Sequence, residues 1–172
     1  MQNLAIEVGQ THQYLGAIDW HSFTQLILRP YGYQATPVPP NDAFAESVGD
    51  SMAAAIESVH GTRCVFPHCG SSPLCCCLAL ICRFPCLTSF PVHRGTGMSY
   101  TNQPSTSLYP VCGCAIDFLY ETTQGVTFTM ELRPASSLGG GFILPPAQIV
   151  PTGEENMAGE YLPSVCFRLS AL

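Results

Sequence analysis

Lysine is absent from these 172 residues and arginine occurs six times. Charged residues make up only 10 % of the chain, against about 25 % in an average soluble domain. With a formal charge of -6 there is no basic stripe to neutralise phosphates, so nucleic acid is not an expected partner. No apolar run reaches the ~20 residues needed to cross a bilayer. The best candidate, Leu74 to Cys82, is too short and is followed by Arg83, so no membrane span is expected. The start, Met1-Gln2-Asn3-Leu4, lacks the basic opening and long apolar run of a signal peptide. The expectation is a cytosolic chain or one whose true beginning is absent. A last absence is chemical: His12, His21, His60, His68 and His93 are followed three residues later by Leu15, Thr24, Arg63, Ser71 and Thr96, never by glutamate. No helix turn here can offer a His-x-x-Glu pair to a metal.

Cysteine is plentiful but concentrated, with seven of the ten between Cys64 and Cys86. They therefore describe one segment and not a disulfide scaffold for the whole chain. From Cys64 to about Gly97 the sequence has neither the helical nor the strand period, which marks 64–97 as an irregular insertion. A metal or disulfide module built from Cys64, Cys69, Cys75, Cys76, Cys77, Cys82, Cys86 and His68 is the alternative. Its gaps of four and five residues and its three adjacent cysteines do not repeat the paired two-residue gaps of zinc modules.

Either side of the insertion the pattern is α/β. Leu15 to Trp20 reads as a buried strand and Leu26-Ile27-Leu28 as a second. After Pro39-Pro40, Asn41 or Asp42 can cap a helix whose apolar face carries Phe44, Val48, Met52, Ala55, Ile56 and Val59, with Gly61 as its stop. Val126 to Leu132 alternates, placing Val126, Phe128 and Met130 on one side and Thr127, Thr129 and Glu131 on a polar side. A last helix is expected after Pro151, capped by Thr152, with Glu154-Glu155 at its positive end.

His21 directly follows a predicted strand, and in open α/β sheets ligands sit beyond the strand carboxyl ends. Glu131 closes the alternating strand beside Arg133. Each alone is ordinary: a lone histidine is more often structural, and a carboxylate beside an arginine is usually a paired charge. Four segments in fixed order change this. They are Asp19-Trp20-His21-Ser22-Phe23-Thr24-Gln25-Leu26 with Pro30-Tyr31-Gly32-Tyr33; Leu108-Tyr109 with Gly113 and Ile116-Asp117-Phe118; Phe128-Thr129-Met130-Glu131-Leu132-Arg133; and Gly141-Phe142-Ile143-Leu144-Pro145 with Gln148-Ile149 and Pro151-Thr152. In these the chain resembles the zinc metallocarboxypeptidases of the carboxypeptidase A and B family.

The resemblance implies the C-terminal portion of a mixed, twisted sheet flanked by helices, incomplete at its N-terminus. It implies a partial catalytic domain over 1–159, interrupted by 64–97, and a tail at 160–172 without family character. His21 matches the family's third zinc ligand, which joins a histidine and a glutamate from an upstream His-x-x-Glu to make an open catalytic site. Glu131 matches the glutamate that takes a proton from the metal-bound water and passes it to the leaving amine. Tyr109 matches the mobile tyrosine that closes over the substrate carboxylate. Ile116 falls at the pocket base, where an apolar residue implies a preference for apolar or aromatic C-terminal side chains. Ser22, Phe23 and Thr129 are expected to line the same site, with phenylalanine at 23 where many relatives have tyrosine. The implied partners are peptide C-termini, the implied state a monomer when full length, and the implied location extracellular or vacuolar.

Three departures limit the implication. The first two zinc ligands and the upstream arginines and asparagine that hold the substrate carboxylate are missing, which suggests an inactive half or a peptide-binding pseudoenzyme. The family passes from its Gly-Thr, here Gly61-Thr62, to the Tyr109 loop within a few residues, whereas this chain inserts the cysteine block. That block is rich in Pro, Leu, Ser, Phe and Cys up to Phe90-Pro91-Val92-His93-Arg94, as a translated pyrimidine-rich intron end would be. Ala158-Gly159-Glu160-Tyr161 likewise reads as an unspliced donor.

Overall fold

The computed structural model describes residues 16–60 and 98–170, with the side chains of His60 and of 161–170 left out. The cysteine block, the stop at Gly61, and His12, His68 and His93 lie outside the described residues. Four strands form one sheet: β1 Gly16–Ser22, β2 Leu26–Arg29, β3 Thr101–Pro104 and β4 Val126–Leu132. Their order is β1-β4-β2-β3. β1 runs parallel to β4 and β2 parallel to β3, while β2 and β4 are antiparallel, so the sheet is mixed as expected. Helices α1 Asp42–His60, α2 Ala115–Thr123 and α3 Ile149–Ser170 flank it.

On one face α1 lays down Ala45, Val48, Met52 and Ile56 against Ile27, Tyr100, Val126, Phe128 and Met130. Each step along a helix turns ~100°, so a stripe through 48, 52 and 56 takes in Ala45 and passes Phe44 by. Phe44, expected on this face, is accordingly 47 % exposed, while Val59, in line with the stripe but in the last turn of the helix, is 36 % exposed. The Asn41 carbonyl accepts the first helical N–H bonds, from Phe44 and Ala45 at 3.0 Å each. Asp42 turns its carboxylate to Arg29 Nε, which donates at 3.0 Å.

The opposite face corrects one expectation. β4 alternates as anticipated, but Thr127 and Thr129 are buried, because α2 packs over that side of the sheet. Hydroxyls there need internal partners. Thr127 Oγ1 donates to the Ile116 carbonyl at 3.1 Å, tying strand to helix. Within β4 only Glu131 and Leu132 at its end reach partial exposure, whereas β1, expected as a buried strand, is largely exposed because among the described residues it pairs on one side only.

α3 also begins earlier than expected, at Ile149, with Pro151 in its first turn, where a missing N–H leaves no helical bond broken. Thr152 is therefore inside the helix and donates to the Gln148 carbonyl at 2.6 Å instead of capping. Glu155 is wholly buried and does not sit at a solvated helix end. α3 packs against α1, and the crossing needs Gly159: a Cβ there would come within 2.9 Å of Ile56 Cγ1. The helix backbone continues through the expected 159/160 boundary to Ser170. Among the described residues no helix is long and apolar enough to cross a membrane.

Candidate active site

β1 and β4 come from opposite ends of the sequence, and their ladder decides which side chains meet. In register, Asp19 stands beside Thr129 and His21 beside Glu131. Side chains alternate along a strand, so Asp19, His21, Thr129 and Glu131 share one face while Trp20, Ser22 and Leu132 share the other. His21 Nε2 lies 2.9 Å from Asp19 Oδ2. A neutral ring that donates to Asp19 from Nε2 has Nδ1 as its acceptor. Burial holds the Glu131 carboxyl above the ordinary carboxylate range, Asp19 adds to this, and His21 opposes it. A carboxylate made more basic in this way is a better proton acceptor at neutral pH.

The other predicted site residues are spread over several elements. Ile116 opens α2 and is 1 % exposed, held beneath the surface by the bond from Thr127. Asp117 is committed elsewhere, accepting the Gly32 N–H at 3.0 and 3.1 Å. Gly32 must be glycine for this approach, since a Cβ would meet Cys114 Sγ at 2.9 Å. Tyr109 lies on the loop before α2, 60 % exposed. That loop is pinned to the Tyr31-Gly32-Tyr33 turn by the Val111 N–H on the Gly32 carbonyl at 2.8 Å. Phe23 packs edge to face on Phe142, ring centroids 5.0 Å apart. Ser22 lines a groove of about 450 Å³ with Trp20, Leu132, Phe142, Ile149 and Asn156, on the sheet face away from His21.

Sequence reasoning missed the buried polar network beside this groove. Arg133 Nε donates to Glu155 Oε1 at 2.7 Å, and its other nitrogens reach Glu155 Oε2 and Gln148 Oε1. The bond to Glu155 raises the Arg133 pKa further. Tyr100 donates to Glu155 at 3.2 Å, and Asn156 Nδ2 donates to the Tyr100 hydroxyl and the Thr152 carbonyl at 3.1 and 2.8 Å. Asn156 Oδ1 is buried without a partner. The available signal was scarcity: in a chain this poor in charge, an arginine at a strand end and a glutamate at helical spacing from Thr152 are residues that must pair if buried.

Among the described residues no three His, Cys, Asp or Glu side chains converge to hold a metal ion. The donor set near His21 is one imidazole, a carboxylate already bonded to it and the Glu131 carboxylate, and these do not complete a zinc site by themselves.

A family model described as zinc carboxypeptidase matches residues 1–159. Metallocarboxypeptidase A of Trichophyton rubrum is 32 % identical over 143 residues, which is 83 % of this chain and 25 % of that protein. Mouse carboxypeptidase A4 is 29 % identical over the same shares. The chain thus spans about a quarter of the length of the curated relatives it matches. Carboxypeptidase A of Helicoverpa armigera has a similar fold, with a TM-score of 0.67 and 20 % identity over 99 % of this chain and 33 % of that one. Bovine thrombin-activatable fibrinolysis inhibitor, solved in complex with tick carboxypeptidase inhibitor, gives a TM-score of 0.69 with 19 % identity, covering 98 % of this chain and 44 % of that one. With a family model spanning nearly its whole length and carboxypeptidases as its fold relatives, the chain belongs to the zinc carboxypeptidase family.

Proposed function

We propose that the protein to which this chain belongs is a secreted metallocarboxypeptidase that removes apolar or aromatic C-terminal residues from peptides, and that these 172 residues are a catalytically incomplete half of it. The observation that carries the reading is the parallel register setting Glu131 beside His21. It puts a carboxylate of raised basicity next to the one histidine that matches a family ligand. In this reading Glu131 is the general base, taking a proton from water and returning it to the leaving amine. Tyr109, on its pinned and exposed loop, closes over the substrate carboxylate. Thr129 and Ile116 shape the side-chain pocket. Asp117 is spent on Gly32, so the pocket gains no anion from it, and a lysine or arginine would enter without a counter-charge.

Incompleteness is supported by the sequence, which has no His-x-x-Glu, and by the arginines whose side chains the structure describes, Arg29 and Arg133. Both are buried in ion pairs and neither is available to a substrate carboxylate. The test is a peptide ending in phenylalanine. The 172-residue chain is expected to release no phenylalanine with or without added zinc. A longer gene product carrying a His-x-x-Glu upstream of Met1 is expected to release it, and to lose at least ~100-fold on Glu131→Gln. Turnover by the short chain would overturn the incompleteness, and a longer product inert toward every C-terminal residue would overturn the function.

A further inference from the structure

The active-site reading leaves unused the run Cys112-Gly113-Cys114, between Tyr109 and α2. These are the cysteines whose side chains the structure describes, and both are free thiols. The chain bends at Cys112 and Gly113, and Gly113 holds a φ of +80°. A Cβ on Gly113 would meet nothing within 4 Å, so glycine serves the turn there and not a lack of space. Two peptide units separate Cα atoms by at most about 7 Å, and a turn at the middle residue brings them inside the range a disulfide bridges.

The two thiols are not equivalent. Cys112 is exposed, whereas Cys114 is partly buried at the start of α2. Cys114 Sγ lies over Gly32 and donates its S–H to the Val111 carbonyl at 3.8 Å. Burial pushes the Cys114 thiol up, and Asp117, Cys112 and Asp19 add to this. The influence of Cys112 puts the two sulfurs within electrostatic reach of each other. Val111 in turn gives its N–H to the Gly32 carbonyl at 2.8 Å. The Cys114 thiol is thus part of the tie between the Tyr109 loop and the Tyr31-Gly32-Tyr33 turn.

We infer that Cys112 and Cys114 form a redox couple that takes low-molecular-weight disulfides as its oxidant and closes a disulfide ring across Gly113. Cys112 loses its proton to water, and its thiolate attacks one sulfur of the oxidant, whose S–S bond breaks and releases one thiolate with the electron pair. Cys114 then loses its proton to water and attacks Cys112 Sγ, and the mixed S–S bond breaks to release the second thiolate. The pair has given up two electrons and two protons, and the oxidant has become two thiols. Exposed or strained disulfides have the more oxidising potentials, so this small ring reopens with a mild reductant. Closing it takes Cys114 Sγ off the Val111 carbonyl and so acts on the loop that carries Tyr109. The couple stands on the thiols alone; only its bearing on substrate rests on Tyr109 as the cap.

The probe is oxidised glutathione, added to the intact 172-residue chain before the remaining thiols are alkylated. Cleavage after arginine and glutamate yields residues 95–121, which contain Cys112 and Cys114 and no other cysteine. By mass this peptide is expected to be unalkylated and lighter by two hydrogens, and to be alkylated at both cysteines after a dithiol. Cys114→Ser is expected to stop with glutathione on Cys112, and Cys112→Ser to take up glutathione at least about tenfold more slowly. Exchange of the Val111 amide, followed by NMR, should be at least about threefold faster in the oxidised chain. Circular dichroism checks that the chain and its variants are folded. A wild-type peptide that keeps glutathione, bonds to a cysteine of another segment or stays reduced would overturn the couple. An unchanged Val111 amide would overturn its hold on the loop. A closed ring that leaves phenylalanine release by the longer product unchanged would count against Tyr109 as the cap and leave the couple standing.

Discussion

Asp117 and Arg133 are buried charges of opposite sign that the fold treats differently. Asp117 holds a backbone N–H and, among the described residues, has no cation against it. Burial is the main cause of its raised pKa, partly offset by the bonds from Gly32 and Tyr33. A carboxyl raised on folding binds its proton more readily folded than unfolded, so its ionisation costs stability as pH rises from its unfolded range through the raised value. Asp117→Asn keeps one oxygen for Gly32 and removes that ionisation. Urea midpoints should show the wild type gaining on Asp117→Asn as pH falls from 7 toward 4. Asp117→Ala, which orphans the Gly32 N–H, should cost about 1–3 kcal/mol throughout. Arg133 sits in a complete ion pair. Removing one partner leaves a buried charge, so Glu155→Ala should cost about 3–5 kcal/mol in the same assay. Replacing both Arg133 and Glu155 by leucine should cost less than the single change.

Elements were more legible than their surroundings. The period of α1 showed its stripe, and the alternation of β4 showed which side chains share a face. Neither could show that α2 covers the threonine side, because burial is set by what the chain brings over an element. The same limit explains α3. Proline and threonine near its start fit a cap at Thr152 as well as a first turn at Ile149, and only the bond from Thr152 to Gln148 separates them. The pairing of His21 with Glu131 was legible only through the motifs. Strand period places each residue on a face but does not say that β4 lies next to β1. Where α3 crosses α1, Gly159 is the narrow point. Gly159→Val should push the helices apart against Met52 and Ile56 and cost about 1–3 kcal/mol, read as a lower Tm with unchanged helical content.

At the scale of the whole molecule, the sheet and its three helices account for the family match on either side of the insertion. The block at 64–97 falls between α1 and β3 in the sequence. We propose that it is translated intron sequence. Transcript reads spanning the Gly61-Thr62 codons should join them directly to the Tyr109 region, and reads that keep 64–94 in frame would count against this.

The strand order has a consequence for how the chain leaves the ribosome. β4 lies between β1 and β2, yet among the described strands it is the last made. Until Val126–Leu132 emerges, β1 and β2 lack the strand that joins them, and the apolar faces of Ile18 and Ile27 wait without it. Lengthening the stretch before β4 prolongs that interval, and a nascent chain with open strand edges is the form in which proteins of this kind aggregate or are captured by chaperones. Any insertion between α1 and β3, whatever its origin, therefore acts first on the yield of folded protein, before the site at Glu131 exists to be affected.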